Sequence, residues 1–99
     1  MTERKDIIDI IREEIDLLET KLEEARVQAK LLEMEARDKL KPEIDRLESE
    51  LSKAQERLIK LTDISQQAFD EAHKGLENAV SELKKGVTRT LDILRSKSD

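Results

Sequence analysis

The spacing of the apolar residues is the feature that most restricts what this chain can fold into. From Ile8 to Ala36 they recur every three or four residues without interruption, the heptad pattern of a left-handed coiled coil. From Ala68 onward Ala, Glu, Lys and Gly recur eleven residues apart, and the apolar positions follow a period of about 3.67 residues per turn. Both patterns place the apolar side chains along one side of an α-helix. The sequence therefore predicts long amphipathic helices, each with an apolar stripe that must be covered.

We predict that the stripes of the N-terminal and C-terminal helices form the interaction surface of the protein. The first is rich in isoleucine, and the second contains the only aromatic residue of the chain. This predicted interaction stripe consists of Ile8, Ile11, Ile15, Leu18, Leu22, Phe69, Leu76, Val80, Leu83, Val87, Leu91 and Leu94. Periodicity alone does not say whether another helix of the chain, a second chain or a lipid surface covers it.

Composition supports an all-α protein with a single helical domain over residues 1–99. Charged residues make up 43% of the chain and apolar residues 36%, a profile typical of coiled coils and long helices. So charged a chain could also be disordered, but the unbroken apolar period argues against disorder. Since an elongated helix buries only one seam, its stability must come from helix–helix pairing.

Pro42 is the strongest helix breaker in the sequence. A proline inside a helix removes a hydrogen bond and costs about 3 kcal/mol. A break there gives helices over residues 4–40 and 43–96 that fold back as an antiparallel helical hairpin or coiled coil. Thr2 is a candidate N-cap for the first of these helices.

A second hinge is predicted near Ser65, over residues 62–66. This segment contains cap-forming residues and an Asp63-x-x-Gln66 capping-box spacing. A turn here instead of at Pro42 would leave the isoleucine-rich N-terminus free to dimerise. One bent rod, kinked at Pro42, is the third arrangement that the sequence allows.

The segment from residue 68 to residue 84 resembles a family of small, highly charged bacterial coiled-coil proteins described as stress-response proteins. The family signature runs Ala-Trp-acid, then Lys-x-Gly, then Ala-Trp-acid again, after a long charged helical segment. Residues 44–58 stand where that segment lies. Phe69 and Val80 occupy the two Trp positions, and Ser81 replaces an acid. The resemblance implies a role in general stress tolerance and no catalytic residues.

His73 is the only histidine and the one candidate metal ligand of note. Asp70 and His73 have the spacing by which di-iron bundles place two ligands on one face. Such a site needs a second histidine and inward-facing carboxylates, so we expect a solvated surface histidine and no metal. The chain also lacks cysteine, a phosphate-binding glycine loop and a Ser-His-Asp arrangement. We predict no enzyme activity, no cofactor and no small-molecule substrate.

We therefore predict a non-enzymatic structural or interaction protein that self-associates as a homo-oligomer. The net charge of −5 and the single aromatic residue argue against nucleic-acid binding. No apolar run is long enough to be a transmembrane helix or a signal peptide, so a cytoplasmic location is expected.

The alternative is a membrane-surface protein resembling apolipoproteins with 11-residue repeats. In that hypothesis the stripe from Phe69 to Leu94 lies in the membrane interface. Basic residues near its edges would meet lipid headgroups, namely Lys74, Lys84, Lys85 and Arg89.

Overall fold

The chain forms a rod-shaped bundle of three α-helices. The computed structural model describes residues 3–98, and within that range every regular element is an α-helix. Helix α1 spans Arg4–Lys30, α2 spans Met34–Leu61 and α3 spans Gln66–Ser98. The bundle measures 50 × 21 × 16 Å. The all-α prediction is confirmed, with three packed helices where two were expected, whereas Thr2 lies outside the described residues.

The order of the helices is up, down, up. Arg4, in the first turn of α1, donates hydrogen bonds of 2.7 Å from Nη2 to the carbonyl oxygens of Leu61 and Ile64. Arg4 also lies over the ring of Phe69, near the start of α3. Helices α1 and α3 therefore begin at the same end of the rod and run parallel, with α2 antiparallel to both.

The predicted break near Pro42 is wrong. The first turn lies at residues 31–33, and Pro42 lies inside α2. Leu31 and Leu32 tighten the end of α1 by donating their N–H groups to the carbonyls of Gln28 and Ala29. The boundaries 4–40 and 43–96 are corrected accordingly.

Tertiary packing explains why the helix continues through Pro42. Leu40 and Ile44, on either side of the proline, are both buried in the core. Pro42 and Asp38 are exposed, so the Asp38 carbonyl that loses its helical N–H partner lies on the solvent side of α2 and not in the core. Burial of two large apolar side chains, at about 1.5–3 kcal/mol each, offsets the cost of one interior proline.

The second hinge is confirmed, although its cap differs from the predicted one. The turn occupies residues 62–65, and α3 begins immediately after it. Ser65 Oγ accepts a hydrogen bond of 3.2 Å from the N–H of Ala68, which satisfies one of the unpaired donors of the first helical turn. Ser65 thus acts as the cap that had been predicted for Asp63.

An arginine fork joins α1 to α2. Arg26 Nε and Nη2 donate to the two carboxylate oxygens of Glu48 at 2.7 and 2.8 Å, and Nη2 also donates to Asp45 at 2.7 Å. The hydrogen bonds that Arg26 donates to Glu48 and Asp45 raise the pKa of Arg26 above its usual range. Bidentate pairing of this kind adds geometric specificity, so the fork helps to set the register of the two helices.

Gly86 of α3 is buried where α3 packs against α2. A Cβ atom at Gly86 would lie 2.7 Å from Cδ2 of Leu47, a core side chain of α2 that is 1% exposed. At Gly75 a Cβ atom would lie 3.0 Å from Nη2 of Arg57, the end of an exposed and flexible side chain. Gly86 is therefore needed for helix packing, whereas Gly75 is not.

We expect Gly86→Ala and Gly75→Ala to change stability in opposite directions. Overpacking against Leu47 costs about 1–3 kcal/mol and outweighs the helix-propensity gain of up to about 1 kcal/mol. Gly75→Ala keeps that gain, because Arg57 can move aside, and should raise the free energy of unfolding by about 0.5–1 kcal/mol. Urea denaturation of both variants measures the difference. Equal stabilisation by both would show that Leu47 has room to move.

Candidate interaction surfaces

The bundle core contains every residue of the predicted interaction stripe. Each is at most 8% exposed, and together with the apolar face of α2 they form one continuous cluster. The residues are Ile8, Ile11, Ile15, Leu18, Leu22, Phe69, Leu76, Val80, Leu83, Val87, Leu91 and Leu94. In this fold the chain's own helices cover the stripe. Neither a second chain nor a lipid surface reaches it while the bundle is closed.

His73 is half-buried, so the expectation of a solvated flank position is wrong. Its ring stacks on Phe69 with the centroids 5.1 Å apart, and its Nδ1 lies 3.3 Å from Oε1 of Glu77. Asp70 instead accepts a hydrogen bond from Gln66. Asp70 and His73, whose spacing was considered for a metal site and set aside, thus have different hydrogen-bond partners. Among residues 3–98 no group of three or more His, Asp or Glu side chains is arranged around a metal-sized site.

Exposed large apolar side chains are concentrated on α1 and the first turn. Three of them lie on the outward side of α1, each more than half exposed: Ile10, Leu17 and Val27. These residues, which we call the α1 outer face, fall at a and d positions of one heptad, opposite the buried positions. In the sequence, the more regular heptad of the core residues dominates the apolar spacing, so this second and sparser heptad is not recognised. Exposure in the folded bundle is what reveals it.

The α1 outer face is interrupted by polar residues. Glu13, Thr20 and Glu24 occupy the intervening positions of the same heptad and are exposed. Acidic side chains dominate this part of the chain, with six acids and three bases in residues 1–16. A partner helix would find apolar contacts separated by polar ones, which suits reversible association.

A second candidate surface lies at the end of the rod where α1 meets α2 and α3 terminates. We call residues 26–41 together with residues 93–97 the first-turn end. An open cleft of about 680 Å³ lies there, with Leu31, Leu32, Ala36 and Leu94 among its lining residues. Arg95 and Lys97 line the same cleft. Apolar walls and basic side chains thus meet at one end of the bundle.

A neighbouring cleft at the first-turn end is basic. It has a volume of about 380 Å³ and is lined by Lys30, Arg37 and Lys41, with Asp38 as its one acidic lining residue. Arg26 also lines this cleft but is occupied by its hydrogen bonds to α2. The first-turn end therefore has two clefts, one of mixed lining that includes Glu33, Arg95 and Lys97 and one lined mainly by basic side chains. Sequence reasoning missed this pair, because the turn was expected at Pro42.

None of the helices in the described part of the chain has an apolar stretch sufficient to span a membrane. Comparison of the sequence with models of known protein families, with curated proteins and with solved structures returned no match. The resemblance to the coiled-coil stress-response family therefore stays a prediction.

Proposed function

We propose that the protein is a non-enzymatic interaction module that self-associates through the α1 outer face. The observation that supports this is the exposure of Ile10, Leu17 and Val27 on a bundle whose core is otherwise closed. By contrast, the only large apolar residue of α3 that is exposed is Ile93, at 37%. The three side chains follow one heptad along α1, so a second copy packed along the same helix can meet all of them, whereas apolar side chains scattered over a surface are ordinary.

Self-association through this face is expected to be weak and concentration-dependent. Packing two copies along α1 would bury apolar side chains but also bring Glu13 and Glu24 towards the contact. Acidic side chains near one another repel, and this repulsion is screened by salt. The proposal therefore predicts a dimer that forms more readily as the salt concentration rises.

Leu17→Asp is expected to abolish the dimer without unfolding the bundle. Leu17 is 51% exposed and lies in the middle of the α1 outer face, so an added carboxylate disrupts the contact but no core packing. Size-exclusion chromatography with light scattering, over a range of protein concentrations, measures the mass of each variant.

Ile59→Asp is the matched control for this experiment. Ile59 is 67% exposed but belongs to α2, outside the α1 outer face. The control should dimerise like the unaltered protein. A monomer at every concentration for all three proteins, or the same loss of dimer in both variants, would contradict the proposed function.

The role in general stress tolerance and the cytoplasmic location stay predictions. The first comes from the resemblance alone, and neither the geometry nor the comparisons bear on it. What supports binding by a surface is the exposure of Ile10, Leu17 and Val27 along α1.

A further inference from the structure

We propose that the first-turn end binds an anionic phospholipid surface. This proposal is independent of self-association, because its residues lie outside the α1 outer face. Val27 is the one residue that belongs to both the α1 outer face and the first-turn end. It also differs from the membrane-surface hypothesis drawn from the 11-residue repeats, since that stripe is buried in the core. The lipid-facing residues are instead those around the first turn.

Two large apolar side chains project at the first-turn end. Leu31 is 82% exposed and Met34 is 68% exposed, more than any other large apolar residue of the described chain. Leu31 is the first residue of the three-residue turn and Met34 follows the turn directly. The cleft of about 680 Å³ at this turn is lined by Leu31 together with Leu32, Ala36 and Leu94. Insertion of Leu31 and Met34 into the boundary between headgroups and acyl chains would remove this apolar area from water.

The basic cleft lies where lipid phosphates would then be. Lys30, Arg37 and Lys41 line it, and in the described part of the chain none of these three side chains forms an ion pair within 4 Å. Residues 26–41 carry five bases and three acids. Two of the bases are engaged, Arg26 by Asp45 and Glu48 of α2 and Lys39 by Glu35, so Lys30, Arg37 and Lys41 are the bases offered to a lipid phosphate. Basic residues beside an inserting apolar group attract anionic lipid headgroups.

The shape of the site favours a lipid surface over a protein partner. Both clefts lie beside the first turn at one end of a rod 50 Å long, where a flat surface can meet them together. A partner helix would need a groove that runs along the bundle. Two copies meeting end to end would bring like charges together. The competing partner is an acidic surface of another copy. Vesicle binding measured together with molecular mass distinguishes the two partners.

Flotation with lipid vesicles tests the proposal. The unaltered protein should bind vesicles of mixed phosphatidylcholine and phosphatidylglycerol, and should not bind vesicles of phosphatidylcholine alone. Leu31→Asp and the double variant Lys30→Glu/Lys41→Glu should each weaken binding about tenfold or more. Excess inorganic phosphate should compete only weakly, since it replaces the headgroup contact but not the apolar one.

Matched variants at the other end of the rod serve as controls. Ile59→Asp is the control for Leu31→Asp. Lys60→Glu/Lys74→Glu is the control for Lys30→Glu/Lys41→Glu, because Lys30 lies in the last turn of α1 and Lys60 in the last turn of α2. These controls should bind vesicles like the unaltered protein. Circular dichroism checks folding, and Met34→Asp replaces Leu31→Asp if that variant loses helix.

Three results would overturn the proposal. The first is no binding of the unaltered protein to anionic vesicles, and the second is an equal loss of binding in the controls. The third is a change in the molecular mass of Lys30→Glu/Lys41→Glu without a change in its vesicle binding. That result would show that the basic cleft binds a second copy of the chain and not lipid. Failure of self-association in Leu17→Asp leaves this test unaffected, so the two proposals fail separately.

Discussion

Val87→Asp is expected to unfold the protein. Val87 is 0% exposed and lies in the core cluster that all three helices share. A carboxylate buried without a partner costs several kcal/mol, and small domains are stable by only about 5–15 kcal/mol. The far-UV circular dichroism signal of helix should therefore be lost or strongly reduced at room temperature.

Thr88→Asp is the matched control for Val87→Asp. Thr88 is the next residue along α3 and is exposed, so it receives the same side chain on the outer side of the same helical turn. This variant should stay helical and melt close to the unaltered protein. A Val87→Asp protein that kept its helix and melting temperature while losing its association with a partner would show that Val87 faces that partner instead of the core.

Phe69→Ala is expected to lower the free energy of unfolding by about 3–5 kcal/mol, the usual cost of removing a buried phenylalanine. Phe69 is 1% exposed and lies in the first turn of α3, at the end of the rod where residues 62–65 form the second turn. The guanidinium carbon of Arg4 lies 4.7 Å from the centroid of the Phe69 ring, and the His73 ring stacks on it. Loss of the ring therefore leaves a cavity and also removes contacts to α1. Urea denaturation followed by circular dichroism measures the change.

Phe69→Leu and a double-mutant cycle with Arg4→Ala separate the two contributions. Phe69→Leu keeps most of the apolar volume and should cost clearly less than Phe69→Ala. The cycle should give a coupling between Arg4 and Phe69 of about 0.5–1 kcal/mol, as for other cation–π pairs near a surface. A Phe69→Ala variant that lost less than about 1 kcal/mol would contradict a buried position for this ring.

The packing of Phe69 and His73 could be predicted only in part from the sequence. The 3-4-4 spacing predicted that Phe69 lies on the apolar stripe, and it is buried there. The same spacing placed His73 on a solvated flank, whereas its ring covers that of Phe69. Periodicity describes where a Cβ atom points, but a long side chain can fold back over its neighbour one turn away.

The choice of turns shows the same limit. The hinge near Ser65 was predicted because residues 62–66 contain cap-forming side chains, a local signal that the sequence displays directly, although the structure uses Ser65 as the cap and not Asp63. Residues 31–33 contain no glycine, proline or serine, so no local signal marks them. Three helices of 27, 28 and 33 residues pack their stripes along nearly their full lengths only if the chain turns there.

The sequence by itself determined the helices' apolar faces. Helical periodicity is a property of the backbone. The apolar stripe residues between Ile8 and Leu22 therefore had to lie on one face of their helix, and those between Phe69 and Leu94 on one face of theirs, whatever covered those faces. Only the tertiary structure decided what covers those faces. The gain from closing three stripes on one another exceeds the cost of keeping Pro42 inside α2, because several buried side chains outweigh one lost hydrogen bond. That closure also leaves Ile10, Leu17, Leu31 and Met34 outside, where the proposed contacts lie.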